Sequence, residues 1–168
     1  MKRDNIINDR KTLISSSRRY RIRCQGYSGY SDVDLSKLAF GNRFAYYLCS
    51  ILLLIGVVSI NIPILSIMMI VALFGVILPN HPFDYIYNTL LSKPLNKPKL
   101  PRRSKQLKFA CLIATVWITA TIYLFSVGFT IAGYVAGGIL FFVAILVSTT
   151  DVCIPSLIYN FLFKFEVR

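Results

Sequence analysis

The chain has 168 residues, of which 55% are hydrophobic and only 15% charged, against a formal net charge of +12 from 19 Lys and Arg and 7 Asp and Glu. That excludes a disordered polymer and argues against an ordinary soluble domain, which is nearer a quarter charged. Such hydrophobicity and such basicity coexist only when they are segregated along the chain.

Residues 1–41 read as a basic arm. Arg18, Arg19, Arg21 and Arg23 alternate there with Tyr20 and Ile22. Basic residues at a membrane surface attract anionic headgroups, by about 1 kcal/mol each. An acidic protein partner is a second reading. Nucleic acid is a minor one, since no folded nucleic-acid module is visible. The first forty residues hold no apolar signal segment, so insertion falls to the first span.

Residues 42–168 read as a four-span membrane domain. Phe44–Asn80 and Phe109–Thr150, of 37 and 42 residues, contain no Asp, Glu, Lys, Arg or His. One span needs about 20 apolar residues, so each run suits two. Asn61-Ile62-Pro63 breaks the first run and Ser126-Val127-Gly128 the second. The predicted spans are Phe44–Ile60, Pro63–Pro79, Phe109–Phe125 and Phe129–Ser148. Hairpin 1 covers about 44–79, a loop 80–108, hairpin 2 about 109–148, and an interfacial segment 149–168. The expected fold is an all-α membrane four-helix bundle of two similar hairpins with short interfacial helices.

The basic residues set a direction. Ten of them lie in residues 1–43, seven between Lys93 and Lys108, and two in the tail. The loop holds Lys97, Lys99, Arg102 and Arg103. With four spans all three segments share one face, which the positive-inside rule makes cytoplasmic. A bacterial inner-membrane location with both termini inside follows. The four cysteines lack CxxC spacing and form no disulfide framework.

The two hairpins repeat a pattern. Arg43-Phe44-Ala45 opens the first and Lys108-Phe109-Ala110 the second. Pro82 with Ile86-Tyr87-Asn88 follows the first, and Pro155 with Ile158-Tyr159-Asn160 the second. An even number of spans per copy keeps both copies the same way up.

The runs His81-Pro82-Phe83-Asp84-Tyr85-Ile86-Tyr87-Asn88, Lys108-Phe109-Ala110-Cys111 and Ser148-Thr149-Thr150-Asp151-Val152-Cys153-Ile154-Pro155 carry a resemblance. With the Lys97–Arg102 loop, they resemble a family of small four-span bacterial membrane proteins known only as a domain of unknown function. The resemblance runs from about Asn42 to Phe163. It implies fold and location, and an association of some members with thioredoxin-like and sulfur-handling proteins.

No ionisable side chain falls within the predicted spans, which argues against a pump or ion-coupled transporter. His81, Asp84, Cys111, Asp151 and Cys153 form a belt at the charged end. Cys111 and Cys153 are a candidate thiol pair, which needs a thiolate to react. His81, Cys111, Cys153 and Asp151 are a weaker candidate set for a soft metal such as zinc. The plain reading has the cysteines packing as small apolar residues and the aspartates capping helices. Thr115 and Thr119 continue a polar stripe from Cys111 at helical spacing, as helix glue or the wall of a cavity for a quinone, lipid or small sulfur compound. Gly133 and Gly137 give a small-residue face for close helix packing or an interface.

The leading reading is non-enzymatic: a scaffold or accessory subunit of a membrane assembly, hetero- or homo-oligomeric, needing no cofactor. The alternatives are a thiol-redox or sulfur-handling component working through Cys111 and Cys153 with a thioredoxin-like partner, and a small-molecule permease.

Overall fold

A computed structural model describes residues 13–165. Over these residues the chain is all-helical, with seven α-helices and no strand. The first basic cluster, Lys2 to Lys11, lies outside the described residues. In chain order the helices are α1 (Ser16–Ile22), α2 (Asp32–Val58), α3 (Ile62–Ile77), α4 (Pro82–Ile86), α5 (Lys105–Ser126), α6 (Thr130–Thr150) and α7 (Ile154–Leu162). Wider π-helical turns follow α1 at Arg23–Tyr27 and α4 at Tyr87–Leu91.

Local chemistry sets the ends. Ser31 starts α2 by accepting the Asp34 N–H, while Asp32 and Asp34 place negative charge at the positive end of the helix. No proline interrupts the next 27 residues, so α2 is continuous from Asp32 to Val58. It ends before Asn61, whose side chain accepts the Ile64 N–H at 3.0 Å and starts α3. Ser104 starts α5 the same way through Leu107. Gly128, at φ 84°, makes the turn from α5 to α6 in a conformation that only glycine adopts without strain.

Three helices, α2, α5 and α6, are long and apolar enough to cross a membrane. The fourth expected span is shorter. At 16 residues α3 is about 24 Å long. It passes the same test only together with Pro82–Leu91, which bends away from it by 81°. The proline at the start of α4 enforces that break. Packing runs α2 against α6, α3 against α5, α5 against α6 and α2 against α3. The shared core is Leu53, Val57, Leu65, Met68, Ala72, Ile118 and Phe125. Apolar side chains such as Ile131, Phe142, Val116 and Ile67 face outward. That pattern suits lipid as the surrounding medium.

The repeated motifs make repeated contacts. Phe44 packs on Tyr87 at 5.8 Å between ring centres, and Phe109 packs on Tyr159 at 5.5 Å. Each pair joins a Phe-Ala at the start of an apolar run to the Ile-Tyr-Asn that follows the same run. The adjoining asparagines each donate to a carbonyl of a basic segment, Asn88 to Leu100 and Asn160 to Cys24.

Candidate functional site

Two buried carboxylates organise the charged end. Asp84 accepts two bonds from Arg103, at 2.6 Å from Nε and 2.9 Å from Nη2. The same carboxylate accepts the His81 N–H at 3.1 Å, closing a reciprocal cap on α4. An unpaired carboxylate is costly in so buried a place, and Arg103 supplies its partner. Arg103 was expected among the headgroup contacts; it is buried instead, and its backbone N–H is held by the Pro79 carbonyl. Its neighbours Lys97, Lys99 and Arg102 are exposed.

Asp151 ends α6 in the left-handed conformation at φ 62°, a geometry aspartate tolerates better than most residues. Its carboxylate is fully buried and takes Arg18 at 2.6 Å and Arg43 at 2.5 and 2.8 Å. Arg21 donates to the Thr150 carbonyl, and Arg19 and Arg23 both face Asp32. The four arginines of the arm therefore fasten it to the end of the helices. Gln25 ties the centre: its Nε2 donates to the Asp151 carbonyl and its Oε1 accepts from Asn42.

Beneath these ion pairs lies an apolar cavity of about 220 Å³. Tyr46, Cys49, His81, Arg103, Cys111 and Cys153 contribute to its wall. The chain thus brings Cys111 and Cys153 to one space and adds Cys49, which spacing alone did not single out. Tyr46 and Cys49 sit three apart on α2 and so share a face. Arg103 Nη1 approaches the Cys111 sulfur at 3.9 Å, and the guanidinium carbon Cζ lies 5.6 Å from the centre of the Tyr46 ring. Gly75 of α3 makes room: a Cβ there would sit 2.6 Å from His81 Cδ2 and 2.8 Å from Cys111 Sγ.

The protonation states follow from burial. Desolvation, with the Arg103 charge beside it, lowers the His81 pKa to about 3. The neutral ring accepts the Phe83 N–H at Nδ1, which leaves its own proton on Nε2. Burial pushes the Cys153 thiol up, against a bond donated by Ser156 Oγ at 3.1 Å. At rest Cys153 holds its proton.

Cys153 also lines a second, outer groove of about 490 Å³ with Tyr20, Arg21, Cys24 and Asp151. The two sides of this groove are pinned on either flank of Cys153. Gln25 Nε2 bonds the Asp151 carbonyl, and Asn160 Nδ2 bonds the Cys24 carbonyl, each at 2.8 Å. One thiol therefore stands between an outer groove holding Cys24 and an inner cavity holding Cys49 and Cys111.

The other expected residues are placed differently. Among the described residues, no three His, Cys, Asp or Glu side chains are grouped to hold a metal ion. The set His81, Cys111, Cys153 and Asp151 forms no such centre, because Asp151 is taken up by two arginines. Thr115 and Thr119 bond their own i−4 carbonyls, at Cys111 and Thr115, and the cavity runs along the neighbouring Ala114–Ile118 face. Gly133 and Gly137 are buried within the chain, against Phe125 and Val57.

These features define an all-helical protein, apolar enough over three helices to cross a membrane, with a thiol-lined cavity under buried ion pairs. The chain belongs to the family described as Domain of unknown function (DUF4395), which matches residues 40–164. No curated protein and no solved structure matches it.

Proposed function

We propose that this is a four-span protein of the bacterial inner membrane, with both termini cytoplasmic, that works as a thiol-redox component through Cys111 and Cys153. The short α3, with the bent Pro82–Leu91 segment, serves as the second span, and it forms a bundle with the three long helices. One observation carries the thiol reading: Cys153 lines both the inner cavity with Cys111 and the outer groove with Cys24. A soluble thioredoxin-like protein approaches the groove. Its thiolate attacks the Cys111–Cys153 disulfide of the oxidised chain at Cys153, Cys111 leaves and takes up a proton, and the partner's second cysteine resolves the mixed disulfide. This chain gains two electrons and two protons as its dithiol, and the partner gains one disulfide.

Cys153 is buried, so the partner must open the groove to reach its sulfur. The scaffold reading drew on the small-residue face and the basic arm. Gly133 and Gly137 are occupied within the chain, and so are the arm arginines, which moves the weight to the cavity. The test is a thioredoxin variant lacking its resolving cysteine. It is expected to trap a mixed disulfide on Cys153 that vanishes in Cys153→Ala. No adduct, or an adduct unchanged in that variant, contradicts the reading.

A further inference from the structure

The cavity carries a second feature that thiol exchange alone does not use. Tyr46 Oη is buried and has no hydrogen-bond partner among the described residues. A buried hydroxyl left unpaired costs about 1–3 kcal/mol, so such groups call for an explanation. Tyr46 is on the cavity wall, where its hydroxyl can donate to a ligand oxygen. His81 is on the same wall, neutral and with its proton on Nε2.

Size and access narrow the ligand. A cavity of about 150 Å³ takes a benzene ring, while drug-sized ligands need about 300 Å³ or more. At about 220 Å³ this one suits a one- or two-ring headgroup. Trp117, Ile139 and Ile158 line it and are also 38%, 47% and 43% exposed on the apolar outer surface. The mouth thus opens sideways between apolar helices rather than toward the charged end. A lipid-soluble molecule can place its head inside and leave an apolar tail outside.

We propose that this cavity binds the headgroup of a membrane quinone, with Tyr46 donating to a ring carbonyl and the Cys111–Cys153 dithiol as the reductant. The redox half rests on the thiol reading above; the binding half stands on the cavity. Two S–H bonds break and one S–S bond forms. The two electrons enter the ring and the two protons go to its two oxygens, so dithiol and quinone become disulfide and quinol. The Arg103 guanidinium, beside Cys111 and over Tyr46, favours the negative charge that builds on the ring oxygens.

The chain has a single tryptophan, and it lines the cavity. Its fluorescence reports binding without any chemistry. The full-length protein in detergent, reduced and kept free of oxygen, is titrated with decylubiquinone. Saturable quenching of Trp117 is expected, about tenfold weaker in affinity in Tyr46→Phe for the loss of one hydrogen bond, with thermal stability no lower than in the wild type. Cys111→Ala/Cys153→Ala is expected to keep the quenching and lose quinone reduction. Linear quenching that never saturates, or equal affinity in Tyr46→Phe, overturns the binding site. Saturable binding with no loss of quinone absorbance in the wild type overturns the transfer step. Failure of the thioredoxin trap with quinone reduction intact counts against the thioredoxin-like partner and leaves this proposal standing.

Discussion

Asp84 and Arg103 are joined by two hydrogen bonds across 19 residues, both side chains almost wholly removed from solvent. The carboxylate follows the first apolar run and the guanidinium precedes the second. Asp151 follows the second run and holds Arg18 and Arg43, which precede or open the first. The carboxylate trailing each apolar run thus fastens the basic segment leading the other run. This crossed arrangement closes the charged end over the cavity.

Removing one member of a buried pair leaves the other charge uncompensated, at about 3–5 kcal/mol. Asp84→Asn is expected to lower the thermal midpoint in detergent strongly and to speed alkylation of Cys111. Arg103→Lys keeps the charge but not the two-bonded geometry, and is expected to fall between. Equal stability in all three proteins would show that the pair does not hold the end closed.

Asp151 fastens the arm. In Asp151→Ala, Arg18 and Arg43 lose their partner and the groove loses one wall. Trypsin is expected to cut after Arg18 or Arg21 many times faster than in the wild type, while the apolar helices stay protected. An unchanged cleavage rate would mean that the Gln25 and Asn160 bonds suffice to hold the arm.

Gly75 is the spacer of the site. Gly75→Ala puts a methyl group into the space of His81 and Cys111, and neither is at the free end of a flexible chain. Overpacking of this kind costs about 1–3 kcal/mol. The expected result is that loss of stability together with a changed alkylation rate at Cys111. A neutral substitution at both readouts would place the glycine outside the site's architecture.

His81 gives the pH dependence. Its pKa is about 3 in the folded chain against an ordinary 6.5, so between these values the unfolded chain binds the extra proton. Stability is therefore complete above pH 6.5 and is lost as pH falls toward 3, by about 1.4 kcal/mol per unit. His81→Asn keeps a capping side chain without a titrating ring. The gap between wild type and this variant is expected to close as pH falls from 6.5 to 5 in thermal melts. A gap that stays constant would mean that the ring titrates normally in the fold.

Much of this architecture was visible in the residue order. Uncharged runs marked the apolar helices, and Asn61-Ile62-Pro63 and Gly128 marked their breaks, because these residues act through local backbone chemistry. Residue order puts Cys111 and Cys153 at similar depth; that both line one cavity comes from the fold. Cys49 was missed because an apolar helix with no polar face gives no clue to its rotation against its neighbours. Arg103 was indistinguishable from Arg102 in a basic loop; only a carboxylate 19 residues away separates them. The arm looked like a free lipid anchor because its partners, Asp151 and Thr150, lie more than a hundred residues on. Gly75 gave no sign, since its role is the space it leaves.

The most direct test of the account is to quench cells expressing the full chain in acid, block free thiols, and map disulfides by mass spectrometry over a series of oxidant levels. The account predicts a Cys111–Cys153 linkage that rises with oxidant and is the first to form. Four thiols that remain free at every level, or linkages that form without preference among the cysteines, would contradict it.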